Sequence, residues 1–310
     1  MPEKILIIRF SSFGDIVLTF PLINLLKKKF PNANISFVVK PQYSELVKIN
    51  PLIDEVIEFD EHLKLDFKKY DLIIDLQNNP KSKAFTFAAG TKILRYKKDN
   101  FKKFLLVRFK INLFKEIIPV YKRYIQTLKD VISLTEKDYT FTTSELKSTN
   151  LHFTDKKYIV IAPSSKHFTK RYPKEKYLEL IITLKEKYQI ILTGDDSNTD
   201  REICNYLCKD DKVISYCGKL SYPELAYVLK NSEFVISNDS GVMHFAESLG
   251  KKVYAIFGST VKEFGFFPQL ETSKVFEYVG LYCRPCTHIG LNKCPEGHFK
   301  CMLENKVEIN

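Results

Sequence analysis

The sequence predicts an α/β protein built from two open, parallel sheets facing each other across a central cleft, and three observations carry that expectation. Short apolar runs alternate with amphipathic stretches through both halves of the chain, the pattern of βαβ units. The length of 310 residues accommodates two domains of about 100–200 residues each. In each half, a loop of small and charged residues separates an apolar run from a helical one, and open α/β sheets bind ligands beyond the carboxyl ends of their strands. These loops are Arg9-Phe10-Ser11-Ser12-Phe13-Gly14-Asp15 and Ser237-Asn238-Asp239-Ser240-Gly241-Val242-Met243-His244.

In the first half the expected strands are Ile5–Ile8, Ile35–Val39, Val56–Phe59 and Leu72–Leu76. The helix after the first loop is expected over Ile16 to Phe30, where Ile16, Phe20, Ile23 and Leu26 fall near helical spacing. Lys27-Lys28-Lys29 suits its C-terminal end, and Pro21 departs from the pattern because proline inside a helix kinks it. The periodicity weakens from Glu136, and Thr140 to Asn150 is rich in Thr and Ser, so a linker is expected near residues 145–156. The domains are therefore 1–150 and 151–310. A second series of strands follows at Tyr158–Ala162, Gln189–Thr193, Val213–Ser215, Phe234–Ser237 and Val253–Phe257. Helices are expected between them near Lys174–Lys187, Thr199–Cys208, Tyr222–Lys230 and Val242–Leu249.

Composition narrows the class. The hydrophobic content of 45% supplies two cores. No apolar run approaches the ~18–20 residues of a membrane span, and no secretory signal precedes the first strand. A cytoplasmic protein with reduced thiols is expected. The net charge of +11 comes from 48 basic and 37 acidic residues, a balance that suits nucleic acid, anionic lipid or phosphorylated substrates, or reflects drift toward a Lys-rich composition. The excess concentrates between Lys92 and Lys129, where only Asp99 and Glu116 oppose a run of lysines and arginines. Phe101, Phe104, Leu105, Leu106, Phe109, Leu113 and Phe114 are interleaved with it. Two readings are open: an apolar face meeting a lipid interface, or one belonging to the domain core.

The loops carry the chemistry. Ser240 and Gly241 are small enough for a phosphate to approach the backbone, and a helix start offers unpaired N–H donors and about half a positive charge. Asp239 would repel a phosphate but is a strong acceptor for sugar hydroxyls; an N-cap role is the other reading. His244 has no partner at metal spacing and reads on its own as structural. Asp15 reads either as a first-turn acid pairing with the helix dipole or as a general base at a strand end. Nearby cations would lower its pKa. The segment Ala162 to Pro173 offers hydroxyls at Ser164 and Ser165 and cations at Lys166, Lys170 and Arg171, a diphosphate clamp or a solvated basic loop. Thr193-Gly194-Asp195-Asp196 ends a strand where an acid can hold ribose hydroxyls. The sequence has neither a Gly-x-Gly-x-x-Gly nor a Walker loop, which argues against a nicotinamide enzyme or a P-loop ATPase. Cys283, Cys286, Cys294 and Cys301 have spacing compatible with a structural zinc, with packed reduced thiols or with disulfides in an oxidising compartment.

Taken in order, these motifs resemble glycosyltransferase family 9, the heptosyltransferases of lipopolysaccharide core synthesis. The resemblance spans nearly the full chain. It rests on Ile7 to Val17, Asp75-Leu76-Gln77 with Lys81-Ser82, Lys170-Arg171-Tyr172-Pro173, Asn238 to His244, and Phe257-Gly258-Ser259-Thr260. A cysteine cluster like Cys283 to Cys301 also occurs in many members. The resemblance implies a GT-B fold of two Rossmann-like domains and an inverting transfer of heptose from ADP-heptose to a lipopolysaccharide inner-core acceptor, with no catalytic metal and no required cofactor. Asp15 is then the general base, with Ser11, Ser12 and Gly14 beside the acceptor and Lys81 at the position of a cation for an acidic acceptor. Ser164, Ser165 and Lys170 clamp the diphosphate, Asp239 holds the sugar, and the amides of Ser240, Gly241 and Val242 with His244 meet the phosphates. The acceptor is an acidic, lipid-linked sugar, so transient contact with the cytoplasmic face of the inner membrane is expected. Val242 replaces a frequent proline or leucine, and Tyr172 the usual tryptophan. The physics agrees: without a metal, a helix start and Lys170 must meet the growing charge of the leaving diphosphate. A related GT-B transferase using another nucleotide sugar is the nearest alternative. A transferase fold that has lost catalysis is disfavoured by the presence of both Asp15 and Lys170. Nucleic-acid binding leaves Asp15 and Asp239 unexplained, and no nucleic-acid partner is expected.

Overall fold

The computed structural model describes residues 2–309 apart from 142–144, 150, 152, 153 and 155. The chain forms two units, one of Met1–Asp99 with Ile118–Lys147 and one of Asn100–Ile117 with Ser148–Asn310. Residues 100–117 thus leave the first unit and group with the second. Of the linker expected near 145–156, residues 150, 152, 153 and 155 lie outside the described residues. Next to them, the Lys147 amide donates to Ile49 O in the first unit and the Thr149 amide to Pro223 O in the second.

The first unit carries a five-stranded sheet of β1 (Lys4–Ile8), β2 (Asn34–Val39), β3 (Glu55–Glu58), β4 (Leu72–Asp75) and β5 (Ile93–Arg95), in the order β3-β2-β1-β4-β5. Every pairing is parallel. Ile5 to Ile8 are fully buried, as a central strand covered on both faces must be, and this produces the continuous apolar run seen in the sequence. Each such side chain contributes about 1.5–3 kcal/mol of transfer free energy.

The expected helix over Ile16–Phe30 is two helices, α1 (Phe13–Val17) and α2 (Phe20–Lys29). Pro21 sets the break: it has no N–H, and inside a continuous helix its ring would meet the carbonyl four residues back. It lies instead in the first turn of α2, where proline is tolerated. The Thr19 hydroxyl donates to Ile16 O at 2.6 Å across the junction. Helices α3 (Ser44–Lys48), α4 (Pro80–Phe85) and α6 (Val120–Ile125) complete the unit, while α5 (Asn100–Phe109) belongs to the second.

The second unit repeats the plan with six parallel strands: β6 (Tyr158–Ala162), β7 (Gln189–Leu192), β8 (Val213–Ser215), β9 (Val235–Asn238), β10 (Val253–Phe257) and β11 (Lys274–Glu277), in the order β11-β10-β9-β6-β7-β8. Its helices are α7 (Lys174–Leu184), α8 (Asn198–Leu207), α9 (Tyr222–Asn231), α10 (Gly241–Ser248) and α11 (Lys300–Leu303). In both sheets the first strand of the unit is central, the next two extend to one side, and the chain then crosses back to build the other. The order reverses between β1 and β4 and again between β6 and β9. At such switch points the loops beyond the strand ends diverge and leave a crevice for a ligand.

Candidate active site

At the first switch point Asp15 lies in α1, behind Ser11, Ser12 and Gly14. Its Oδ1 is 2.8 Å from Arg9 Nη2 and accepts from the Tyr124 hydroxyl at 3.3 Å. Its Oδ2 accepts from the Ser12 hydroxyl at 2.8 Å. Asp15 therefore reaches back to the N-cap of its own helix, as the structural reading requires, and faces a buried guanidinium as well. Arg9 is fixed a second time, donating to Leu76 O at 2.7 Å. Burial works to raise the Asp15 pKa, but the Arg9 cation and the Ser12 hydrogen bonds outweigh it and hold the carboxyl below its ordinary value. Asp15 is thus held in its ionised form, with both carboxylate oxygens engaged.

Asp75-Leu76-Gln77 holds the crevice together. Buried Asp75 accepts from the Asn78 amide at 2.8 Å and the Ser82 hydroxyl at 2.9 Å, and Gln77 Oε1 accepts from the Phe10 amide at 3.1 Å. Lys81, in α4, forms an exposed pair with Glu61 at 2.7 Å.

At the second switch point Lys170 Nζ lies 2.7 Å from Asp239 Oδ2, with only 14% and 5% of the two side chains exposed. The Thr260 hydroxyl donates to the same oxygen at 2.6 Å. The loops bearing these residues are joined by Asn238, whose Nδ2 donates to Pro163 O at 2.9 Å and Ser164 O at 3.2 Å, while its Oδ1 accepts from the Tyr172 amide at 3.0 Å. Thr169 is fixed against Leu291 by two hydrogen bonds, which sets where Lys170 emerges. Arg171 donates to the carbonyls of Ser165 and Lys166, so it braces the loop. Ser164 is buried and Ser165 partly exposed.

Helix α10 begins directly after Asp239. Its N-cap, Ser240, makes no side-chain cap bond; the Ser240 and Ser237 hydroxyls lie 3.0 Å apart instead. Ser240, Gly241 and Val242 are partly exposed and His244 is buried. A helix start without a side-chain cap leaves its first amides for an external acceptor. The neighbourhood is positive. Burial, then Lys103 and Lys170, lower the His288 pKa, and burial followed by Lys170, Lys166 and Arg171 does the same at His167. Lys103 comes from α5, so part of the basic stretch read in the first half of the sequence serves the second unit.

The four cysteines Cys283, Cys286, Cys294 and Cys301 line one small pocket with His298. Among the described residues, however, no three His, Cys, Asp or Glu side chains are grouped to hold a metal ion. Burial is the main influence on these thiols, pushing Cys286 up to about 11 and Cys301 up to about 12. In this structure all four are free thiols.

Several residues of the site are absent from the sequence-based set. Arg9 was within reach of sequence reasoning, as the cation nearest Asp15 in the same loop. Thr260 lies in the Phe257-Gly258-Ser259-Thr260 motif and Lys103 in the basic stretch, neither with a site role read from the sequence, while Tyr124 comes from a distant segment that no local signal marks.

Two units, each with a parallel, doubly wound sheet, give the chain the GT-B fold of the solved heptosyltransferases it matches. A model of glycosyltransferase family 9 (heptosyltransferase) matches residues 62–295, and the chain belongs to that family. It is similar to lipooligosaccharide heptosyltransferase 2 of Campylobacter jejuni, at 26% identity over 95% of this chain and 92% of the relative. It is equally similar to lipopolysaccharide heptosyltransferase 1 of Campylobacter coli, at 26% identity over 83% and 84%. Among solved structures, the fold matches ADP-heptose lipopolysaccharide heptosyltransferase II of Escherichia coli with a TM-score of 0.71 at 21% identity, covering 97% of this chain and 98% of that one. A family 9 glycosyltransferase of Veillonella parvula matches with a TM-score of 0.71 at 22% identity, over 90% and 88%.

Proposed function

We propose that this glycosyltransferase moves a heptose from ADP-heptose to an acidic, lipid-linked inner-core acceptor of lipopolysaccharide, with inversion at the anomeric carbon and no catalytic metal. The observation that carries the reading is the uncapped start of α10 beside the nearly buried Lys170–Asp239 pair. A nucleoside diphosphate needs both parts: amides and a helix dipole for its oxygens, and a cation for the charge that grows on departure. Asp239 is the acceptor for sugar hydroxyls. The names of the relatives supply the heptose, and the ADP-heptose in the name of the E. coli structure supplies the nucleotide.

In the proposed step the acceptor hydroxyl oxygen attacks the anomeric carbon from the face opposite the diphosphate. The bond from that carbon to the diphosphate oxygen breaks, and its electron pair leaves with ADP. The hydroxyl proton passes to Asp15. A base of depressed pKa suits this order, because the attacking hydroxyl becomes strongly acidic only once its bond to carbon is forming. The charge on ADP is met by Lys170, by the amides of Ser240, Gly241 and Val242, and by His244. Ser164 and Ser165 adjoin the same diphosphate, while Ser11, Ser12, Gly14 and Lys81 serve the acceptor.

The lipid-linked acceptor calls for a membrane surface. Phe101, Phe104 and Phe109 are 69%, 55% and 57% exposed, and Ile111 and Leu113 are also exposed. Arg108 and Lys115 stand among them. Leu106, expected in the same apolar face, is buried, and Lys110 is anchored to the carbonyls of Cys283 and Pro285. The segment is therefore held on the second unit by Leu106, Lys103 and Lys110 and presents its remaining apolar residues outward. We assign this basic, apolar surface to the anionic cytoplasmic face of the inner membrane. Among the described residues no helix is long and apolar enough to cross a membrane.

Calorimetric titration with ADP, UDP and GDP, followed by a transfer assay with ADP-heptose and an inner-core acceptor, tests the function. Selective ADP binding with transfer is expected. Preference for UDP or GDP would remove the heptose donor from the reading.

A further inference from the structure

The carboxylate at the first switch point is fully occupied by donors of its own unit. An ionised carboxylate offers about four lone-pair positions. At Oδ1 of Asp15 stand Arg9 Nη2, 2.8 Å away, and the Tyr124 hydroxyl, 3.3 Å away. At Oδ2 stand the Ser12 hydroxyl, at 2.8 Å, and the Ser12 amide, at 3.4 Å. A hydroxyl that is to give its proton to Asp15 must therefore displace one of these donors or pass the proton through it.

Three of the four are fixed. Arg9 is buried, and its other terminal nitrogen donates to Leu76 O at 2.7 Å. Tyr124 is fully buried, with its ring edge-on to Tyr96 at 4.9 Å and its centroid 5.9 Å from the Arg9 guanidinium carbon. The Ser12 amide belongs to the backbone at the N-cap of α1, where the Ile16 amide donates to Ser12 O at 2.9 Å. The Ser12 hydroxyl, in contrast, turns about a single bond. Ser12 is exposed, whereas Asp15 shows only 18% of its side chain. A hydroxyl that donates still has two acceptor lone pairs. An incoming hydroxyl thus finds an acceptor at Ser12 Oγ without removing any donor from Asp15.

We propose that Ser12 is a catalytic proton relay between the acceptor hydroxyl and Asp15. The relay rests on the proposed transfer, with Asp15 as its base, and deepens it by naming the atom that the acceptor meets. As the acceptor oxygen bonds to the anomeric carbon, its proton moves to Ser12 Oγ. The Ser12 proton moves along the 2.8 Å hydrogen bond to Asp15 Oδ2. The electron pair of the broken carbon–oxygen bond leaves with ADP. Ser12 ends as the hydroxyl it was, and Asp15 holds the proton. Arg9 and Tyr124 stay on Oδ1 throughout, so the base keeps its orientation while its charge changes.

The test is single-turnover transfer by the full-length enzyme, preloaded with ADP-heptose and mixed with a saturating inner-core oligosaccharide. Ser12→Ala removes the hydroxyl. Ser12→Asn keeps a side chain able to cap the helix and donate to Asp15, but an amide does not relay a proton. Both should slow the transfer step by about 100-fold or more, within the range of general acid–base catalysis, and leave ADP affinity within about twofold of the parent. Ser12→Thr keeps the hydroxyl and should recover most of the lost rate. In mixtures of light and heavy water the parent rate should follow a bowed curve, because two protons move in one step, and the Ser12→Ala rate a straight line. A serine that only positions Asp15 gives a straight line in the parent as well. With Asp15→Asn inactive, the relay alone is overturned by a straight line in the parent, by Ser12→Ala transferring within about threefold of the parent, or by Ser12→Asn recovering as well as Ser12→Thr. An Asp15→Asn enzyme that retains transfer, or a parent that binds ADP and makes no product, overturns the proposed reaction and the relay with it.

Discussion

Replacing Lys170 by methionine tests the donor site through stability and turnover at once. Lys170 and Asp239 are 14% and 5% exposed and lie 2.7 Å apart, and the Thr260 hydroxyl is on the same carboxylate oxygen. Methionine keeps most of the volume and removes the charge, leaving a nearly buried carboxylate with a neutral hydroxyl as its remaining side-chain donor. Breaking a buried pair from one side costs about 3–5 kcal/mol, and the residual access of water at Lys170 sets the expectation at about 2–4 kcal/mol. For a unit of this size each kcal/mol corresponds to roughly 2–4 °C, so the thermal midpoint of the second unit should fall by about 5–15 °C. The double variant Lys170→Met with Asp239→Asn removes the stranded charge and should recover at least half of that loss, giving a coupling of about 1–3 kcal/mol in a double-mutant cycle. Turnover should not recover. Without the cation, stabilisation of the departing diphosphate is missing in both variants, and kcat should stay about 100–1000-fold below the parent. Differential scanning calorimetry and a coupled ADP-release assay supply the measurements. The electrostatic account fails if Lys170→Met melts within 2 °C of the parent (roughly 1 kcal/mol or less), or if the double variant is no more stable than the single one.

Three further outcomes follow from the same geometry. Asp15→Asn should abolish transfer and leave ADP affinity within about twofold of the parent, since Asp15 lies in the first unit, to which the acceptor is proposed to bind, and an amide takes up no proton at neutral pH; retained turnover would remove its role as base. Because Arg9 and Ser12 hold the Asp15 pKa below its ordinary value, kcat/KM should show no acid limb from Asp15 above about pH 4, and Arg9→Met should move that limb upward by leaving burial unopposed. A parent limb assigned to Asp15 near pH 6–7 would contradict the Arg9 pairing. Buried Glu247, in α10, accepts from the amides of Gln269 and Leu270, and burial raises its pKa from 4.5 to about 7. The folded state therefore holds this proton where the unfolded chain has lost it, so stability is greatest below pH 4.5 from this group and declines as pH rises to about 7, by at most about 3 kcal/mol. Urea midpoints across that window should flatten in Glu247→Gln, and an unchanged slope would assign the pH dependence elsewhere.

The parts of the fold legible in the sequence are those whose physics is local. Central parallel strands are buried on both faces, so β1, β2, β4, β6, β7, β9 and β10 read as mainly apolar runs, with buried Ser36 and Ser237 the polar breaks in β2 and β9. The edge strands β5 and β11 have three and four residues with charged ends, Arg95 in one and Lys274 and Glu277 in the other, and no run marks them. Pro21 signalled the interruption between α1 and α2, but the apolar spacing continues across it and masks the restart. The attachment of residues 100–117 to the second unit depends on contacts such as Lys103 over Phe266 and Lys110 on the 283–285 carbonyls, made with residues more than 150 positions away. For the site, the loops were legible because glycine, serine and aspartate at strand ends have few other reasons to cluster. The partners that set their charge were not, since Tyr124 reaches Asp15 only through the fold.

The two switch points share an electrostatic plan with one instructive difference. Each presents a carboxylate already paired with a cation, Asp15 with Arg9 and Asp239 with Lys170, and so neither carboxylate is a lone buried charge. In the first, the cation is a guanidinium with a second fixed acceptor at Leu76 O, and its rigid fork is suited to holding Asp15 still. In the second, the cation is an ammonium on a flexible stem, able to turn toward a diphosphate while Thr260 retains Asp239. In the proposed reaction an acceptor hydroxyl approaches Asp15 without displacing Arg9, whereas a donor draws Lys170 partly away from Asp239. That exchange frees carboxylate lone pairs for the sugar hydroxyls at the moment the phosphate oxygens acquire the cation, so each half of the donor readies the site for the other. A donor offering only a diphosphate would leave Asp239 under-satisfied, and one offering only a sugar would find Asp239 still engaged. On the proposed function, recognition of the nucleotide sugar as a whole rests on this one ion pair.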